Sequence, residues 1–185
     1  AGVLELKNIV EIYVVALENE VKELLFILNK NHESIIEIKT INLLKNKREE
    51  FQFQLNSEIK KPNYTIPKKY LFEPNAAIMK SGGFDEIALQ FEVEKLHQHS
   101  HLYTSDELLD FPGRVFEIKN ILEYNKANMK SFLENKKANI TTRNFPETVE
   151  NIRKKWKIKD GGNLYSFFTT DANNSKIVLL CEKLK

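Results

Sequence analysis

ANITTRNFPETVENIRKKWKIKDGGNLYSFFTT, residues 138–170, decides the fold of the C-terminal part of the chain. Ala138 to Thr142 is short and β-branched and reads as a strand. Pro146 suits the first turn of a helix, where no backbone N–H is needed, and that helix runs to Trp156. Val149, Ile152 and Trp156 recur at helical spacing and form its dry face. Gly161-Gly162 supplies a flexible exit, and Leu164 to Thr170 is the next strand. Working outward, Lys176 to Glu182 is a second apolar run, and Asp171 to Asn174 makes the turn of a hairpin. On the other side, Asn125 to Glu134 reads as a helix and Arg114 to Ile118 as a strand, opened by the turn signal Asp110-Phe111-Pro112-Gly113. The order is βαβαββ.

Further toward the N-terminus the pattern changes twice. From Pro74, NAAIMKSGGFDEIALQF predicts two short helices: Asn75 caps the first, Gly82 and Gly83 end it, and Asp85 begins the second. Before it, residues 55–67 hold Pro62 and Pro67 with no periodicity and read as a linker or crossing loop. Residues 11–17, 24–29, 35–43 and 50–55 are strand-like runs separated by polar turns. The chain starts without Met, and LELKN reads as the interior of a helix leading into the first strand. The sequence therefore looks like a piece of a longer protein.

Charge divides the chain. Residues 111–185 carry 15 Lys and Arg against 8 Asp and Glu, while residues 1–110 carry 13 against 18, so the whole-chain net charge of +2 conceals two opposed parts. A clustered basic surface suits a polyanion, because each cation near a phosphate releases counterions. The cluster is Arg153, Lys154, Lys155, Lys157 and Lys159, joined by Lys136 and Lys137 at the end of the preceding helix and by Arg143 with Phe145 in the strand-to-helix loop. If these converge on one rim, they combine phosphate contacts with an aromatic for stacking. The same cluster also reads as the wet side of an amphipathic helix.

Catalytic signals are thin. The six glycines allow neither G-x-G-x-x-G nor a P-loop. His97, His99 and His101 alternate and would share one face of a strand near Asp106 and Glu107, but no Cys joins them and His32 is distant in sequence, so a surface role is preferred to a metal site. Glu92 and Glu94 read as solvent-facing charges. The single Cys181 sits in an apolar strand pattern, which points to a buried inert thiol and a reducing, cytoplasmic setting. No apolar run reaches the ~20 residues of a membrane-spanning helix.

The strings NEVKELLFIL, YLFEPNAAIMKSGGF, KLHQHSHLYTSDELLDFPGRVFEI, KANITTRNFPETV and IRKKWKIKDGGNLYSFFTT resemble the C-terminal half of a Bacteroidetes family of class I S-adenosylmethionine-dependent methyltransferases, over nearly the whole chain. In that family a Rossmann-like catalytic domain precedes a small ferredoxin-like domain and a THUMP-like domain, a module associated with RNA-modifying enzymes. The resemblance implies an α+β fold in three parts: residues 1–62 as C-terminal strands of the methyltransferase sheet, with EIYVVAL and LLFILN its terminal antiparallel pair; residues 63–110 as the ferredoxin-like domain; and residues 111–185 as the THUMP-like domain. It places the cofactor loop and the acidic-proline substrate motif outside this chain, so no catalytic, cofactor-binding or metal-binding residue is expected here and S-adenosylmethionine belongs to the full-length parent.

The expected role is a non-catalytic region that holds RNA, such as a tRNA or rRNA element, through Lys136, Lys137, Arg143, Phe145, Arg153, Lys154, Lys155, Lys157 and Lys159. Arg143 leads, because its loop matches the family's motif and a guanidinium grips phosphate bidentately. The alternative is an interaction domain that docks on its own methyltransferase body and touches no RNA. Strands cut from their neighbours expose an apolar edge, so a non-native dimer is a further expectation.

Overall fold

The computed structural model describes residues 8–30, 35–56, 58 and 60–185. The helical reading of residues 3–7, and His32, lie outside them. The described chain forms two compact units, residues 1–61 with 74–90 and residues 62–73 with 91–185.

In the first unit four strands pair in the order β2-β1-β3-β4: β1 Ile9–Leu17, β2 Glu20–Leu28, β3 Glu37–Leu44 and β4 Lys47–Gln54. The expected antiparallel pair of EIYVVAL with LLFILN is β1 with β2, closed by Glu18 and Asn19, both in the left-handed conformation that a two-residue hairpin turn requires. β3 runs parallel to β1 and antiparallel to β4, so the four strands complete one another. Alternation turns Ile12, Val14 and Ala16 with Ile38, Thr40 and Phe51 inward. Helix α1, Ala76–Ser81, lays Ala77 against Val14, Ala16 and Val21. Asn75 caps it by accepting from the Ile78 amide at 3.1 Å, and Gly82 ends it at φ 83°, as those residue types predict. Helix α2 follows at Phe84–Gln90.

The second unit is a seven-stranded sheet in the order β6-β7-β5-β8-β11-β10-β9. Its strands are β5 Tyr70–Pro74, β6 Glu94–Lys95, β7 Tyr103–Ser105, β8 Gly113–Glu123, β9 Asn139–Arg143, β10 Leu164–Thr170 and β11 Lys176–Lys183, with helices α3 Lys126–Phe132 and α4 Val149–Trp156. From Gly113 onward the order is the βαβαββ read from the sequence. Boundaries differ: β8 runs on to Glu123 rather than ending at Ile118, α3 is shorter than Asn125 to Glu134, and α4 starts at Val149, not Pro146. The Thr148 hydroxyl accepts from the Asn151 amide at 3.2 Å and so sets the cap, leaving Pro146 and Glu147 in the turn before it.

One face of the sheet packs Phe168, Val178 and Leu180 against Met129 and Leu133 from the α3 segment and Ile152 and Trp156 of α4. The other encloses Leu71, Leu102, Phe116, Phe167, Leu179 and Cys181. Cys181 is buried as expected, and burial pushes its thiol pKa up, which leaves it protonated. Among the described residues no helix is long and apolar enough to cross a membrane.

Candidate functional site

The basic candidates separate into two places. Lys136 and Lys137 follow α3, and Lys157 and Lys159 follow α4, and the two exits are zipped together by their backbones. The Lys159 amide donates to the Lys136 carbonyl at 2.9 Å, the Ala138 amide to the Lys159 carbonyl at 3.0 Å, and the Asn135 amide to the Trp156 carbonyl at 3.1 Å. Lys137 and Lys159 are partners in a parallel β-bridge, which sends neighbouring side chains to the same side. Buried Ala138 and Ile158 alternate with these exposed lysines, so hydrophobic anchoring on one side obliges the cations to face water on the other. Lys154, on the outer side of α4, lies one turn before Lys157. Among the described residues Lys137, Lys154, Lys157 and Lys159 make no ion pair, and the Lys136 ammonium reaches only the Ser131 carbonyl, at 3.5 Å.

The remaining candidates are committed to other contacts, Arg153 at the border of this corner and Arg143, Phe145 and Lys155 away from it, which corrects the expectation of a single rim. Arg143 ends β9 at the opposite end of the strand from Asn139, about 13 Å away at the usual rise. It donates to Oε1 of Glu73 at 2.8 Å, while Arg114 donates to Oε2 of the same carboxylate, which is only 2% exposed. Glu73 lies on β5 and Arg143 on β9, four places apart in the strand order, so this contact requires the sheet to roll. Phe145 is packed edge-on against Tyr124 and Phe168, with ring centroids 5.0 and 5.5 Å away, and is no stacking platform. Arg153 pairs with Asp160 and donates to the Ala138 carbonyl at 3.2 Å, which ties α4 to β9.

Lys155 points to the other flank of α4, where it donates to Glu147 at 3.1 Å and to the Tyr124 hydroxyl at 3.2 Å. Those bonds raise its pKa. Burial alone would raise the Glu147 pKa, but the hydrogen bonds from Tyr124 and Lys155 outweigh it and hold the carboxylate below its ordinary value. The Arg143 commitment was not legible in the sequence, because Glu73 is 70 residues away, whereas Asp160 and Glu147 lie only 7 and 8 residues from their partners. The chain's opposite charges invited the pairing without indicating the partner.

The histidine stretch is a turn rather than a strand, so His97, His99 and His101 do not share a face. His97 instead ties loops together, with Nε2 3.2 Å from Oδ1 of Asn174 and Nδ1 3.0 Å from Nδ2 of Asn144. Among the described residues no group of three or more His, Cys, Asp or Glu is placed to hold a metal ion. Glu94 pairs with Lys68 and Glu92 sits at a left-handed turn, so the two carboxylates are not presented together. A groove of about 550 Å³ on the first unit is lined by Tyr13, Lys39, Arg48, Glu50 and Gln52, but its charges are paired, Lys39 with Glu11 and Arg48 with Glu50.

Comparison with known proteins places these features. Residues 70–112 match a ferredoxin-like domain and residues 113–183 a THUMP domain-like family. With one cysteine in the whole sequence the chain has no set of four thiolates for an iron–sulfur cluster, so the first likeness is one of fold. No match is found among the curated proteins. The crystal structure of a "putative methyltransferase" from Porphyromonas gingivalis W83 is similar at a TM-score of 0.89 and 34% identity, over 98% of this chain and 47% of that one. The chain thus spans about half the length of that relative. By these matches the chain carries a ferredoxin-like domain, residues 70–112, that leads into a THUMP-like domain, residues 113–183.

Proposed function

We propose that this chain is the RNA-holding, non-catalytic region of an S-adenosylmethionine-dependent RNA methyltransferase, and that it grips a tRNA or rRNA element so that the catalytic part reaches its target. The observation that carries this reading is the convergence of Lys136, Lys137, Lys157 and Lys159 on the zipped exits of α3 and α4, beside Lys154 and without ion-pair compensation for the last three and Lys137. The THUMP-like match and the methyltransferase named in the similar structure support it. Cations held in one corner by backbone hydrogen bonds bring phosphate contacts without the cost of first gathering them.

Fluorescence anisotropy with bulk folded tRNA and a DNA duplex of similar length, across a potassium chloride series, tests the reading. RNA preference that persists near physiological salt, and that drops in the Lys157→Ala, Lys159→Ala double variant, is the expected result. Equal, weak binding to both that vanishes with salt would displace it.

A second reading, an interaction domain that docks on its methyltransferase body, is favoured by one observation: Arg143, Arg153 and Lys155 are spent on carboxylates of this chain. It predicts salt-sensitive binding to a separately expressed catalytic half and no RNA preference.

A further inference from the structure

The corner that carries the free lysines holds a carboxylate, Asp160, and it is paired with Arg153. The aromatic rings of the neighbouring elements pack inward: Trp156 and Phe168 are buried, part-buried Tyr124, Phe132 and Phe145 pack against them, and Tyr165 packs on Phe116. The Trp156 indole N–H donates to the Tyr124 hydroxyl at 3.3 Å, which fixes its edge inward. All three arginines of residues 111–185, Arg114, Arg143 and Arg153, are engaged with carboxylates. Of the amides, Asn139 donates to the Gly162 carbonyl at 2.7 Å, while Asn135 and Asn163 are exposed. What remains is a set of compact ammonium groups on flexible stems. Gly161 and Gly162, at φ 92° and 84°, carry the chain past them, and a Cβ on Gly162 would stand 3.4 Å from that of Lys137. The slim turn leaves the lysine row open.

Recognition of single-stranded RNA draws on stacking of unpaired bases on aromatic or guanidinium planes, because the strand must be ordered on binding. Recognition of a base edge draws on arginine or amide groups. This corner presents no ring for stacking, and its exposed amides, Asn135 and Asn163, meet no base edge in the deep, narrow major groove of an A-form helix. An A-form helix, by contrast, is already ordered and displays phosphates at high density, and point charges suffice to bind it.

We infer that the RNA feature this corner takes is the phosphate backbone of a helical segment, bound without regard to sequence, and that unpaired nucleotides are not its ligand. This rests on RNA being the partner. The test uses the 185-residue chain and three fluorescein-labelled probes: two RNA duplexes of unrelated sequence, each of about 20 base pairs, and a poly(U) strand of the same strand length.

The expected result is that both duplexes bind alike and at least about tenfold more tightly than poly(U), since poly(U) gains nothing from stacking here. The Lys157→Ala, Lys159→Ala variant should lower the salt slope for the duplexes by about 2. Poly(U) binding as tightly as the duplexes, or a clear preference between the two duplexes, would overturn the inference while leaving RNA as the partner. Failure of all three probes to bind at low salt would overturn both.

Discussion

At the scale of single residues, the chain shows how a cation's value depends on what it meets. Arg143 and Lys159 belong to the same basic tract, yet one neutralises a buried carboxylate and the other faces water. Glu73 is shared by Arg114 and Arg143, both about a third exposed. Arg143→Ala therefore leaves half of the carboxylate without its partner. It should cost roughly 2 kcal/mol, below the usual figure for a fully buried pair because water reaches the guanidinium groups. Urea denaturation should show that loss while the salt slope of RNA binding stays as in the parent; the reverse pattern would return Arg143 to the binding surface. Glu49 makes a complementary case. Burial would raise its pKa, but hydrogen bonds from Lys47, Asn75 and Asn42 outweigh it and keep the folded value low. A carboxyl more acidic when folded adds stability above its unfolded value of about 4.3 and loses it as pH falls through the folded one. Glu49→Gln should thus be less stable at pH 7 but lose less between pH 7 and pH 3, as read from urea midpoints; parallel losses would remove Glu49 from the acid response.

At the scale of elements, the local code was largely legible and its exceptions have physical causes. Asn75, Gly82 and the hairpin of β10 with β11 stand where their residue types predict, because caps and tight turns depend on neighbours a few positions away. The start of α4 was misplaced, because a threonine cap at 148 competes with a proline two residues earlier and wins by a hydrogen bond. The histidine stretch misled for a related reason. Its period of two suggested a strand, yet Ser100 bonds back to the His97 carbonyl at 3.1 Å and folds it into a turn. Only half of the basic rim was legible, since convergence of α3 and α4 exits follows from their connection to adjacent parallel strands, whereas the diversion of Arg143 depends on the rolling of the sheet. Gly83 supplies a test at this scale. A Cβ there would stand 2.5 Å from the Phe53 ring, within the first unit. Gly83→Ala should destabilise by about 1–3 kcal/mol as the ring is displaced. Thermal melting of this variant beside Gly82→Ala, where nothing lies within 4 Å but φ is 83°, would separate crowding from backbone strain.

At the scale of the whole molecule, the first unit presents an edge strand that is apolar and open. Leu24, Leu25, Ile27 and Leu28 on β2 are 42–58% exposed, and β2 ends the strand order. Such an edge is a template for pairing with another chain. The isolated chain should therefore self-associate as its concentration rises, and Ile27→Lys should return it to monomer in sedimentation analysis; an unchanged monomer in the parent would show the edge to be inert. The division into units carries a different consequence. Residues 70–112 match one family and 113–183 another, yet β5, β7 and β6 of the former are hydrogen-bonded into one sheet with β8, β11, β10 and β9 of the latter, while residues 74–90 fold with the N-terminal strands. Heredity and compactness thus draw their borders in different places. A gene rearrangement that moved the THUMP-like module alone would tear a sheet, and one that moved the middle segment alone would deliver half of two bodies. The middle segment can therefore be inherited as a folded part only with a neighbour on each side, one to complete its sheet and one to pack its helices.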